Sequence, residues 1–309
     1  MRLSVIIVSY NTRDLLRRCL ASLGDGFEVI VVDNASSDGS AEMVRVEFPS
    51  VVLIENTVNK GFGTANNQGF DAMSGDLALL LNSDAYATPG AIDILLSTMK
   101  DQDVVACGGR LVNAGDESVT QNSCANELTL WAVWCEQTLL EKVFPSSRLF
   151  SPYWETKRVL SDHTPGETHE VEQVMGACLL MRPVERFDER FFLYCEDTEL
   201  CFRLRRHGRV LYVPDAVFGH ELGASSTESR WQSVARYNFG KELYFRIHRG
   251  QVASTVCLVL DRLGAVFRLM IWCLATLSTG GLVPRTRRQC GMFWKVLVAP
   301  DYGFQRPVE

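Results

Sequence analysis

Three short apolar runs within the first 84 residues end in the same way. "LSVIIVSYN" (3–11) stops at Asn11, "EVIVVDN" (28–34) at Asp33 and "LALLLNSD" (77–84) at Asp84. Runs of four to six aliphatic residues read as strands buried on both faces, the pattern of a parallel sheet covered by helices. "TRDLLRRCLASL" and "AEMVRVEF" follow the first two runs with helical periodicity. "VVLIENTVNKGFGTANNQGFDAMSG" supplies a further strand, a Gly/Asn-rich loop and a helix. Four strand-then-helix units at this spacing predict an α/β fold with a Rossmann-like, mostly parallel central sheet and flanking helices. In such sheets ligands bind beyond the carboxyl ends of the strands. Asn11, Asp33 and Asp84 all fall at that rim.

Charge narrows the partners. The net charge of −6 argues against a nucleic acid. Residues 230–295 nevertheless carry eleven Lys/Arg against Glu242 and Asp261, a local balance of +9 that leaves −15 for the remainder. A basic C-terminal region on an acidic body points to an anionic surface, with membrane phospholipid first. Ten cysteines are scattered without a CxxC pair or zinc spacing. That usage indicates a reducing compartment with neither disulfides nor a zinc site. The N-terminal apolar run is too short for a signal peptide, which predicts a cytoplasmic chain.

After "DVVACGGRLVN" (103–113) the periodicity loosens, and 114–170 reads as an insertion shaping a second pocket. "EVEQVMGACLLMRP" (170–183) is strand-like again. "RFDERFFLYCEDTELCFRLRRHG" (186–208) starts a helix with acidic residues and ends it with basic ones, as the helix dipole prefers. A strand and a loop carrying His220 close the core. From Val252 to Leu277 almost every residue is apolar, while Ser254, Asp261, Arg268 and Ala275 recur every seven residues as one narrow stripe. The longest uncharged run, 269–284, falls short of the roughly 20 apolar residues of a membrane span. An amphipathic helix lying in the interface, flanked by Arg246, Arg249, Arg285, Arg287 and Arg288, fits better. The alternative is a core or dimer helix, so a homodimer stays open.

The rim residues carry the chemistry. Asn82-Ser83-Asp84 places one carboxylate where a hard cation could bring phosphates with it, although a short Asx-x-Asp pattern also serves as a helix cap. Asp33 suits a nucleotide base or ribose, or simply turns the chain. Lys60, the close glycines and Asn66-Asn67 suit an anion at a helix start, without the spacing of a GxxxxGK[ST] or GxGxxG loop. Glu196-Asp197 either stabilise a helix N-terminus or supply a general base.

These motifs, with "MGACLLMRP" and "HELGASS", stand in an order that resembles family 2 glycosyltransferases of the GT-A fold, closest to a bacterial rhamnosyltransferase-like branch. The resemblance covers roughly residues 3–245 and implies a nucleotide-diphospho-sugar transferase domain. Within it, 1–113 would bind the nucleotide-sugar and 114–245 the acceptor; 246–309 would form a basic, amphipathic helical extension that associates with membrane. By the same likeness, Ser9, Tyr10, Asn11, Asp33, Lys60, Gly61, Asn67 and Ser83 would hold the nucleoside-diphosphate sugar. Asp84 and His220 would ligate Mg²⁺ or Mn²⁺, and Gly176 and Ala177 would line the acceptor side. Asp197 would be the base and Glu196 would contact the acceptor or orient the site. The first residue of the Asp-x-Asp position is asparagine here, which rests the metal mainly on Asp84. The expected activity is inverting transfer, dTDP-rhamnose favoured as donor, to a lipid-linked or polysaccharide acceptor at the inner membrane face. A UDP-hexose donor and a non-catalytic glycan-binding scaffold are the alternatives. A nucleotidyltransferase would need a Gly-rich basic loop after the first strand, where this chain has "SYNTRDLL".

Overall fold

Val5, Ile6 and Ile7 are fully buried, yet they belong to two different cores. Alternate residues of one strand point to opposite sheet faces, so Val5 and Ile7 join Val31 and Leu79 on one side while Ile6 joins Ile30 and Leu80 on the other. The continuous apolar runs in the sequence are the consequence of helices covering both faces.

The computed structural model describes residues 1–221 and 230–298. They fall into two units, the first comprising Met1–Glu127, Trp154–Phe192 and Glu196–Thr227, the second Leu128–Tyr153, Leu193–Cys195 and Glu228–Glu309. The chain begins in the first unit with β1 (Leu3–Ser9), α1 (Arg13–Ser22), β2 (Glu28–Asp33), α2 (Ser40–Glu47), β3 (Val52–Glu55) and α3 (Phe62–Ala72). It continues through β4 (Leu77–Leu81), β5 (Ala85–Ala87), α4 (Ala91–Thr98), β6 (Val104–Asn113), β7 (Asp116–Thr120) and β8 (Cys124–Ala125). Helices α5 (Leu130–Gln137) and α6 (Leu140–Val143) belong to the second unit. The first resumes with α7 (Thr156–Asp162), β9 (His169–Glu170), β10 (Gln173–Val174), β11 (Cys178–Met181), α8 (Glu196–Leu204) and β12 (Arg209–His220). Helices α9 (Arg230–Ser278) and α10 (Pro284–Val298) complete the second.

The main sheet has the order β3-β2-β1-β4-β11-β6-β12-β5, with β7 beside β6 and β9 beside β12. β1 to β4 run parallel, as do β6 and β12, whereas β11 is antiparallel to both neighbours. The strand-like stretch at 170–183 is two pieces. β10 pairs with β8 in a separate ribbon, and the chain turns at Gly176-Ala177 before β11 enters the main sheet.

In the second unit α9 breaks at Gly250, whose φ of 84° no other residue type adopts cheaply. The seven-residue stripe is its buried face: Ser254 and Asp261 are buried and Arg268 is half-buried. The spacing put these residues on one face, and in the structure that face is covered by protein. The cause is Lys241, which has no solvent exposure and whose Nζ lies 2.7 Å from Asp261 and 3.1 Å from Glu136. Gln137 Nε2 donates to Asp261 over 2.8 Å. Arg268 donates to the main-chain carbonyls of Glu136 and Gln137, closing the end of α5. This buried cluster joins 128–153 to the tail within the second unit. The segment 114–170 is thereby shared between units. Its middle third, through Glu136, Leu139 and Lys142, lines a cavity of about 660 Å³ in the second unit.

Candidate active site

The end of β4 leads into Asn82-Ser83-Asp84, and the end of β12 places His220 across from Ala85. Asp84 Oδ1 lies 3.3 Å from His220 Nε2, with the carboxylate 1% exposed. Neither oxygen of Asp84 has a hydrogen-bond partner. Gln121 fixes the opposite side of the imidazole. Its Nε2 donates to the His220 carbonyl (2.8 Å) and to Asn113 Oδ1 (2.9 Å), so its Oε1 faces His220 Nδ1 at 2.7 Å and accepts from it. In the neutral ring this leaves the Nε2 lone pair aimed at a carboxylate. Two electron-pair donors facing each other inside a protein fit a cation, and a backing hydrogen bond of this kind is what fixes a metal-ligating histidine. Asn82 Oδ1 is a further buried, unpartnered oxygen. The residues present fit a hard divalent ion with room left for diphosphate oxygens.

The strand ends are tied together by hydroxyls. Ser9 Oγ meets Thr12 Oγ1 at 3.1 Å, and Thr12 donates to Ser83 Oγ at 2.9 Å. Ser9 and Ser83 are buried and positioned by this chain. Tyr10 is half-buried beside them, and Asn11 takes a left-handed φ of 54° while its Oδ1 accepts from Ser37. Asp33 Oδ2 accepts the Ser36 amide, and its buried Oδ1 is unpartnered.

Gly61 is required by its neighbours: φ is 85°, and a Cβ there would sit 2.5 Å from the Phe192 carbonyl oxygen. Asn34 holds this loop to β2 by donating to the Gly61 carbonyl. Lys60 is half-buried beside it. Asn67 does something else. Its amide group donates to Phe187 and Glu189 and accepts from the Phe187 amide, fastening α3 to the 186–190 loop. The sequence assigned it to the diphosphate, but its polar atoms are engaged by protein.

Glu196 and Asp197 open α8 and differ in environment. Asp197 is half-buried, and its carboxylate accepts the Gly176 amide (3.0 Å) and the Thr198 amide (2.8 Å). Burial pushes its pKa up and these two amides oppose the rise. Glu196 is buried with Oε2 unpartnered, and burial, followed by the charge of Asp197, pushes its pKa up to about 8. Asp197 is therefore the accessible carboxylate and Glu196 the protonated one at neutral pH. Ala177 accepts the Asn82 amide at 3.1 Å, so the Gly176-Ala177 turn connects the cation end of the site to the acidic pair. Gly223 and Ser225 of the His-x-x-Gly-x-Ser pattern lie outside the described residues.

The sheet, with this strand order and helices on both faces, has the GT-A fold, with a carboxylate and a histidine meeting at its rim and an acidic pair opening the next helix. Solved structures agree on the fold. The mannosyltransferase PcManGT from Pyrobaculum calidifontis in complex with GDP-Man and Mn²⁺ superposes with a TM-score of 0.54 at 15% identity, covering 99% of this chain and 88% of that one. Staphylococcus aureus TarS 1–349 in complex with UDP-GlcNAc gives 0.50 at 17% identity, covering 96% and 82%. Residues 4–152 match the model described as Glycosyl transferase family 2. Over that stretch the chain is similar to the family. Among curated relatives, the N-acetylglucosaminyl-diphospho-decaprenol L-rhamnosyltransferase of Mycobacterium tuberculosis is 29% identical over 245 residues, covering 72% of this chain and 77% of that protein.

Proposed function

We propose that this glycosyltransferase moves L-rhamnose from dTDP-rhamnose, with inversion, to a hydroxyl of a lipid-linked or polysaccharide acceptor in cell-surface glycan synthesis. The observation that carries the donor site is the unpartnered Asp84 carboxylate facing the His220 Nε2 lone pair. The rhamnosyl donor and lipid-linked acceptor rest on the likeness to the decaprenol-linked relative. Asp84 and His220 would hold Mg²⁺ or Mn²⁺, whose chemistry there is neutralisation of charge on the diphosphate leaving group. Asp33, through its free Oδ1, would accept from the nucleotide base or ribose. Asp197 would take the proton of the acceptor hydroxyl as it attacks the anomeric carbon opposite the leaving group, so a single displacement inverts the centre. Glu196, protonated, would orient the acceptor.

The assay is transfer of rhamnose or of UDP-linked hexoses to a polyprenyl-diphosphate glycan, with the product anomer read by NMR. Asp197→Asn is expected to lower kcat by about 10²–10⁴-fold, the range for loss of a general base. Glu196→Gln should leave kcat within about tenfold at pH 7, because that residue already carries its proton. Its signature is in stability. The folded state binds this proton more tightly than the unfolded chain, so the contribution is full below pH 4.5 and lost as pH rises toward about 8. Glu196→Gln removes that slope. A kcat loss confined to Glu196→Gln would move the base to Glu196, and retention of configuration would sink the single displacement.

The second unit is proposed to rest on the anionic inner face of the membrane. No helix among the described residues is long and apolar enough to cross one. With its polar stripe turned inward, α9 shows solvent a ridge of Val252, Val256, Val259, Leu263, Phe267, Met270, Leu274 and Leu277, each at least 40% exposed. Exposed Arg246, Arg249, Arg285, Arg287 and Arg288 lie along the same two helices, whereas both acids of 230–298, Glu242 and Asp261, are buried. A second copy would bring like charge to like charge; anionic lipid complements it. The chain is expected to co-sediment with phosphatidylglycerol vesicles and not with phosphatidylcholine ones. Leu263→Glu with Leu274→Glu should weaken that binding more than tenfold, since each buried leucine is worth about 1.5–3 kcal/mol. Concentration-dependent dimerisation abolished by the same pair, with no vesicle binding, would assign the ridge to a second copy.

A further inference from the structure

We propose that His163, Glu167 and His169 form a zinc site, oriented by Asp215, that clasps the loop before β9 onto strand β12. None of these residues belongs to the donor or acceptor site. His163 follows the end of α7, His169 opens β9, and Asp215 lies on β12, whose Tyr212 pairs with His169. One ligand atom from each of His163, Glu167 and His169 lies within 4.8 Å of the other two.

The geometry is more specific than the clustering. His163 Nδ1 and His169 Nε2 are 3.4 Å apart. Two nitrogens about 2.0–2.1 Å from a tetrahedral zinc are separated by about that distance. The remaining nitrogen of His163, Nε2, lies 2.9 Å from Asp215 Oδ1. A carboxylate there takes the Nε2 hydrogen and leaves Nδ1 as a lone pair directed at His169. This is how an orienting carboxylate prepares a zinc-ligating imidazole. Asp215 is itself held, since its Oδ2 accepts the Gly166 amide over 2.6 Å. The loop thus folds back on the residue that orients its first histidine. Two imidazoles and one carboxylate favour zinc over the hard ions suited to the Asp84 site. Glu167 is exposed and the histidines are half-buried, so the fourth position opens to water. Occupied, this site would amend the zinc-free expectation drawn from the cysteines, since its ligands are histidine and glutamate and its orienting Asp215 lies 52 residues from His163.

The test uses the full-length, untagged chain, loaded with Zn²⁺, desalted and measured by elemental analysis, and separately loaded with Co²⁺ for its visible spectrum. One zinc per chain and the intense bands of tetrahedral cobalt are expected, both lost in His169→Ala. Glu167→Gln, at an exposed position, should weaken zinc binding without changing the far-UV spectrum. Asp215→Asn should weaken it about 10–100-fold. Asp84→Ala should retain zinc, which separates this site from the donor site. Zinc content equal in wild type and His169→Ala, a weak octahedral cobalt spectrum, or no zinc in wild type of intact far-UV spectrum would each overturn the assignment.

Discussion

Asp84→Ala is expected to leave the metal-free protein as stable as wild type or more so, while abolishing the stabilisation that Mn²⁺ with a nucleoside diphosphate confers. The two halves of this result have one cause. The wild-type carboxylate is buried with both oxygens lacking a hydrogen-bond donor. An unsatisfied buried polar group costs about 1–3 kcal/mol, more when charged. Alanine removes that cost, so a fall in the melting temperature of the metal-free protein is not expected. A ligand that binds only the native state adds RT ln(1 + [L]/Kd), about 2.7 kcal/mol at one hundred times Kd. Wild type should show that shift with Mn²⁺ and dTDP together, and the variant should not. Activity should fall by about 10³-fold or more, because charge on the leaving group loses several kcal/mol of stabilisation. Calorimetric titration of dTDP and UDP, with and without Mn²⁺, on both proteins reads the binding half directly. A variant that keeps the metal-dependent shift would remove Asp84 from the donor site, and preference for UDP would replace rhamnose by a UDP-hexose.

The parts of this fold that could be read in advance are those set by local pattern. β1, β2 and β4 are buried on both faces, so their residues form apolar runs, and the polar residues that follow each run mark the rim. That is why Asn11, Asp33 and Asp84 were visible, and why His220 was found at the end of its own strand. Gln121 was not visible. It follows β7 in no motif, and its role exists only because β6, β12 and the 114–121 hairpin bring it to His220 across 99 residues. Asn67 shows the same limit: the Gly/Asn pattern that suits an anion does not reveal that this residue sits in mid-helix α3 and anchors the 186–190 loop. His163 and His169 belong to the same class. Their meaning depends on Asp215, a strand residue that sequence spacing does not connect to them.

The α9 stripe shows where periodicity stops being sufficient. Residues recurring every seven positions fix which side chains share a face, and leave open whether water or protein covers it. The deciding residue is Lys241, one turn-break earlier and fully buried. A buried ammonium without a counter-charge is prohibitive, so Asp261 had to turn inward and the apolar side of the helix outward.

Lys241→Met should therefore be among the most destabilising single changes in the second unit. Asp261 lies in contact with the lysine, and Glu136 is its second partner. The two carboxylates hold the lysine pKa above its ordinary value, while burial pushes Asp261 up to about 6. Methionine keeps most of the volume and removes the charge, leaving Asp261 buried and uncompensated. Breaking such a pair costs about 3–5 kcal/mol. Adding Asp261→Leu should recover most of it, because replacing a whole buried pair by apolar residues is often neutral or stabilising by about 1–4 kcal/mol. Denaturation midpoints of the three proteins separate the charge effect from packing. The pH dependence gives a second readout. Without the lysine, the Asp261 pKa rises further, so the penalty should be largest near pH 8 and shrink as pH falls and the carboxyl takes up its proton. A double variant no more stable than Lys241→Met, or a penalty independent of pH, would show that the lysine acts through its packed stem and that the inward turn of the stripe has another cause.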